Sequence, residues 1–214
     1  MPGILAFIIT AAFFIFGIYI TKRNQEKFKA EMTDLADKLN FNYLPDDDKN
    51  IVMKLKNFTH EELNNTNKAS KILKGEISGV NIMAFEGRIG RGKHQNRFPC
   101  YMFFHEELVL PKMIIEPEGM LQRVFAKMDI DFDSHPEFSK KYVLWGDDEA
   151  AIRNVLNEEF LTLYEGFEFT QSMEIAEGVV VFFDFINFYK PIEIPDKLKL
   201  YLRLINLMME ENQN

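Results

Sequence analysis

Between Gly3 and Ile20 the chain reads GILAFIITAAFFIFGIYI, and no charged side chain stands before Lys22. At 1.5 Å per residue such a run makes about 27 Å of helix, close to the thickness of the bilayer hydrocarbon. A helix apolar on all sides has few places to go: the core of a membrane, or a protein interior with apolar partners all round. A cleaved signal peptide fits poorly, because it carries a basic stretch before a shorter apolar run and small residues at the cleavage site. Only Met1-Pro2 precedes the run, and Lys22, Arg23, Lys27 and Lys29 follow it against Glu26. The positive-inside rule therefore predicts a single-pass transmembrane helix over residues 1–21, with the N-terminus outside and the body in the cytoplasm. The expected division is a membrane anchor over 1–21, a juxtamembrane helix over 22–45 and one domain over 46–214.

About 190 residues remain after the apolar run, enough for one ordinary domain with a real core and too few for two. The net charge of -8 argues against nucleic acid as a partner, since such binding needs clustered Lys and Arg. Cys100 is the single cysteine, so no disulfide forms within the chain.

Periodicity predicts an α+β fold. Phe28, Met32, Leu35 and Leu39 mark one face of a helix, and Asp48 or Asn50 is placed to cap a short helix through Ile51, Val52 and Leu55. The polar stretch 60–68 reads as a loop. Residues 72–84 read as a hairpin turning at Ser78-Gly79, and residues 99–108 and 112–116 as a second strand pair. A helical pattern runs through Met120–Met128, then a short strand at Tyr142–Trp145. One helix is expected from Asp147 to about Glu165, started by three carboxylates at the positive end of its dipole. A hairpin turning near Glu177-Gly178 and a final helix opened by Pro195 complete an antiparallel sheet built from hairpins, with helices packed on one face.

The chemical signatures mostly fail. GRIGRGKH (87–94) matches a phosphate loop at Gly87, Gly92 and Lys93, but His94 stands where Ser or Thr must hold magnesium, and a strand follows where a helix is needed. The residues read instead as a basic hairpin tip with Arg88, Arg91, Lys93 and Arg97 in water. Asp129, Asp131 and Asp133 open like a calcium loop, but Ser134 and Lys140 occupy positions that need Gly and Glu. His60, His94, His105 and His135 lack metal-ligand spacing and read as surface or turn residues. Cys100 reads as a buried structural thiol. No catalytic residue, cofactor or metal is assigned.

The stretch 129–156, DIDFDSHPEFSKKYVLWGDDEAAIRNVL, resembles a segment of a family of bacterial proteins in which an N-terminal membrane helix precedes an α+β domain. The resemblance implies no activity, substrate or cofactor. In its own right Pro136 with Phe138 reads as a turn with an apolar peg, and Gly146-Asp147 as a strand end meeting a helix start.

The functional expectation is a non-enzymatic protein-interaction or assembly module, the alternative being a membrane-tethered hydrolase or small-ligand-binding enzyme with a site assembled from distant residues. Lys22, Arg23, Lys27, Arg88, Arg91 and Lys93 are the expected contacts to a membrane surface. In the last helix Leu198, Tyr201, Leu202, Ile205 and Met209 form a core face. Leu200, Leu204 and Leu207 project to another side, either into a groove of the same domain or toward a protein partner or a second copy.

Overall fold

The strand PCYMFF shows how the core is divided. Alternate residues of a strand point to opposite sides, and here both sides are apolar: Phe98, Cys100 and Met102 enter one hydrophobic cluster, Tyr101 and Phe103 another. A strand of this kind must be central and covered on both faces. The structure, a computed structural model, describes residues 2–46, 48–105, 108–118, 129–166 and 171–211, with side chains from Thr10 onward except those of Lys93 and Glu211.

The strands are β1 (Asn42–Leu44), β2 (Lys68–Ile77), β3 (Val80–Ile89), β4 (Asn96–Phe104), β5 (Met113–Pro117), β6 (Tyr142–Gly146), β7 (Ser172–Ala176) and β8 (Val179–Phe183). They form one antiparallel sheet in the order β1-β2-β3-β4-β8-β7-β5-β6. The helices are α1 (Pro2–Leu39), α2 (Lys49–Leu55), α3 (Glu61–Asn64), α4 (Pro136–Lys141), α5 (Glu149–Val155), α6 (Glu158–Gly166) and α7 (Ile194–Glu211). The expected α+β class with an antiparallel sheet stands, and so do the hairpins β2–β3 and β7–β8. Their turns place Ser78-Gly79 and Glu177-Gly178 at positive φ, the tight geometry that suits the twist of paired strands.

Long-range pairing departs from expectation. β4 and β5 do not pair with each other; β4 pairs with β3 and β8, and β5 with β6 and β7. The β7–β8 hairpin inserts between them. Helices cover both faces rather than one. The second half of α1, with α5, α6 and α7, packs over Ile82, Tyr101 and Phe182; α2 and α3 place Ile51, Leu55 and Leu63 over Phe85, Phe98 and Phe183. The polar stretch 60–68 holds α3 and the start of β2 rather than a loop. The helix expected from Asp147 breaks into α5 and α6, with Asn157 Oδ1 accepting from the Phe160 amide at 2.8 Å. Of the two cap candidates for α2 it is Asp48 that caps, and Asp148, expected within the first turn, caps α5 instead. The helical pattern at Met120–Met128 lies outside the described residues.

The membrane reading of the N-terminus requires correction. Residues 1–21 and 22–45 do not separate into an anchor and a second helix; α1 runs unbroken from Pro2 to Leu39. Among the described residues no helix is long and apolar enough to cross a membrane. The side chains of residues 1–9 lie outside the description. From Thr10 onward, any stretch long enough to span the hydrocarbon takes in Lys22, Arg23, Glu26 and Lys27. The transmembrane helix, the single-pass topology and the cytoplasmic placement of the body that followed from it are therefore overturned.

What holds α1 is its second half: Met32, Leu35 and Ala36 are buried, and Phe41 follows them into the core. Phe41 lies flat on β2 at Gly75, where an added Cβ would fall 2.0 Å from the ring. Gly75→Ala must therefore evict the ring that ends α1. It is expected to cost about 1–3 kcal/mol, the usual effect of overpacking, read as a lower urea midpoint at unchanged slope.

Candidate functional site

Docking of α1 on the sheet begins at Phe28, whose ring lies 4.5 Å from the Lys71 ammonium and 6.2 Å from the Tyr189 ring. N-terminal to that point the helix leaves the domain. Phe13, Phe14, Ile15, Phe16, Ile18, Tyr19 and Ile20 are all exposed, Phe13 at 71% and Ile20 at 41%. They lie all round the helix, since successive residues turn by about 100°. Beside α1 runs the segment after β8. Asp184 is buried there, and its carboxylate accepts from the amides of Ile186 (2.8 Å) and Asn187 (3.1 Å) and from Asn187 Nδ2 (2.7 Å). That turn sets Phe185 and Tyr189 inward and leaves Ile186 and Phe188 exposed, with Ile192 following. Exposed apolar surface of this extent is uncommon on a domain that stands alone.

The residues expected to touch a membrane surface are not a set. Lys22, Arg23 and Lys27 are exposed on α1, directly after the apolar stretch, and Arg91 is exposed on the β3–β4 loop. The Lys93 side chain lies outside the described residues. Arg88 is not in water, as the hairpin-tip reading had it: its Nε and Nη2 donate to Glu86 Oε1 at 3.0 and 2.8 Å. The loop itself is a short 3-10 turn, Gly92–His94, leading into β4, so no helix N-terminus faces Gly87–Lys93. On α7, Leu204 and Leu207 are buried inside this domain, while Leu200 is half-buried. Leu200 lines a shallow groove of about 310 Å³ with Leu163, Lys199 and Arg203.

Two buried ionic clusters escaped the sequence reading. Glu86 accepts from Lys71 Nζ at 2.6 Å as well as from Arg88, with Arg97 at 3.9 Å. Lys71 stands at a bulge with φ of 58°, so the network fixes an irregular point of β2 beneath Phe28. The second cluster joins α3 to the far half of the sheet. Glu174 on β7 is fully buried and accepts the amides of Thr59 (2.5 Å) and His60 (3.0 Å). Glu116 on β5, 1% exposed, contacts His60 Nε2. The other imidazole nitrogen lies 2.9 Å from the Glu62 carboxylate and accepts from the Glu62 amide at 3.3 Å, which caps α3. Phe183 and Phe185 flank the ring at 4.7 and 5.6 Å.

Burial acts against a charged His60, but the bond to Glu116 and the carboxylates of Glu116, Glu62 and Glu174 outweigh it, holding the imidazole above its ordinary value. Burial raises Glu174 against the opposing effect of its two backbone bonds. His60 is thus no surface residue, and neither is His135, which is buried between Ser134 Oγ (3.1 Å) and Thr162 Oγ1 (3.3 Å). The signal for the second cluster lies in MIIEP and SMEIA, where one glutamate interrupts a strand otherwise apolar on both sides. None of the residues lining the grooves along α1 and α7 belongs to this cluster.

No family model and no curated protein matches the chain, so the resemblance drawn from residues 129–156 gains no support from either. A solved structure shares the fold. The chain is similar to the crystal structure of the mycobacterial trehalose monomycolate transport factor A, TtfA, with a TM-score of 0.61 over 86% of this chain and 93% of that one, at 9% identity.

Proposed function

We propose that this chain is a non-enzymatic protein-interaction module, and that the exposed apolar half of α1 is what it presents to its protein partner. The reading is supported chiefly by the contrast within one helix: Met32, Leu35 and Ala36 are buried in the domain, while Phe13 through Ile20 are exposed and apolar on every side. Leaving such side chains in water costs about 1.5–3 kcal/mol each relative to burial, so a partner that covers them gains most of its affinity there. The buried polar groups fit the same reading, because Glu86, Glu174 and His60 are consumed by bonds that fasten one element to another. A fold also found in a transport factor is compatible with it.

The test is photo-crosslinking in cells at Phe14, Phe16 and Tyr19, with Asp37 on the same helix as control. The expected result is one discrete protein adduct from the first three positions and none from Asp37. An adduct containing a second copy of the chain would identify the partner as itself. Absence of any protein adduct at all three positions would overturn the proposal.

A further inference from the structure

We propose that His60, Glu116 and Glu174 form a pH-sensitive clasp, which holds the α2–α3 segment against β5 and β7 and loosens as the solution becomes alkaline. The geometry makes His60 the hinge of the contact. Its backbone amide is bound by Glu174 on β7, its Nε2 faces the Glu116 carboxylate on β5, and its Nδ1, protonated in the charged ring, lies 2.9 Å from the Glu62 carboxylate of its own helix. Every titratable group facing the ring is a carboxylate: Glu116 and Glu174 from the sheet, Glu62 from α3. Among the described residues no cation other than His60 lies within ion-pair distance of Glu116 or Glu174. Neither Glu116 oxygen has a hydrogen-bond partner among them, so what the carboxylate has is the ion-pair contact with His60 Nε2. A buried carboxylate is tolerated when a charged donor compensates it; the imidazolium is that donor, and it is the one cation type that gives up its proton near neutrality.

Deprotonation leaves Glu116 facing a neutral ring. The sign follows from linkage: a histidine raised on folding contributes stability that is complete below its unfolded value near 6.5 and is lost as pH rises through the folded one. What still holds the segment at alkaline pH includes the burial of Ile51, Leu55, Phe58 and Leu63, the Asn57–Glu177 bond of 2.7 Å and the Thr59 and His60 amides on the Glu174 carboxylate. The expected change is therefore local opening, not unfolding.

Amide hydrogen exchange on the intact chain, corrected for the intrinsic pH dependence of exchange, tests this. Between about pH 6 and pH 8.5, protection of residues 58–66 should fall roughly tenfold, while β3 and β4 stay unchanged. In His60→Gln, whose amide still donates to Glu116 but does not titrate, protection should be flat across that range. Equal pH dependence in the two proteins would overturn the clasp. Should the variant fail to fold, the imidazole resonances of the native chain decide: a titration midpoint for His60 at or below about 6.5 sinks the proposal.

Discussion

His60→Ala is expected to destabilise the domain by about 3–5 kcal/mol at neutral pH, the cost of removing one partner from a buried ion pair. The loss is large because of what stays behind. Glu116, 1% exposed, loses the imidazole, so the variant leaves a buried carboxyl group without its partner inside β5. For a protein of 214 residues this amounts to roughly 6–20 °C in the thermal midpoint. The cause is separable from simple loss of packing against Phe183 and Phe185. Glu116→Met in the His60→Ala background removes the stranded carboxyl group and should recover at least about 2 kcal/mol, because buried pairs replaced by apolar residues of similar size are often neutral. If the double variant is no more stable than His60→Ala, the ring and not the carboxyl group is what matters there.

Tyr201→Ala is the second expected large effect, at about 3–5 kcal/mol. Tyr201 is fully buried on α7, and its ring stacks on Phe182 of β8 at 4.1 Å and 7°. It also meets Tyr101 and Phe103 of β4 edge-on at 5.2 and 6.1 Å. One side chain thus pins the last helix to the seam where β4 and β8 join the two halves of the sheet. The surrounding rings are held by their strands and cannot collapse into the space, so the cavity term adds to the lost burial. Leu204→Ala, one turn further on, should cost about 2–5 kcal/mol for the same reason, since Leu204 is completely buried. Lys199→Ala, exposed on the opposite side, should fall within about 0.5 kcal/mol of the parent. Urea unfolding of the three variants measures these effects; a Leu204→Ala variant as stable as Lys199→Ala would mean that α7 does not pack as described.

Local chemistry was readable wherever it is settled within a few residues. Ser78-Gly79 and Glu177-Gly178 announced their turns because only tight, positive-φ geometry fits two residues between strands. Asp48 and Asp148 announced helix starts, since a carboxylate beside unsatisfied amides has one obvious use. The α+β class and the antiparallel sheet followed from these periodicities. Three other features were decided only when distant segments met. The β7–β8 hairpin lies between β4 and β5 because Val180 and Phe182 fill one core and Val181 and Phe183 the other, a fit that no local pattern encodes. Glu116 and Glu174 become a site for His60 only because β5 and β7 are neighbours, across more than fifty residues of sequence. And the apolar run that seemed to fix the fate of the N-terminus turned out to be part of a helix whose other half is core. Composition measures how much a side chain avoids water, and only the tertiary structure decides which side chains the domain itself removes from it.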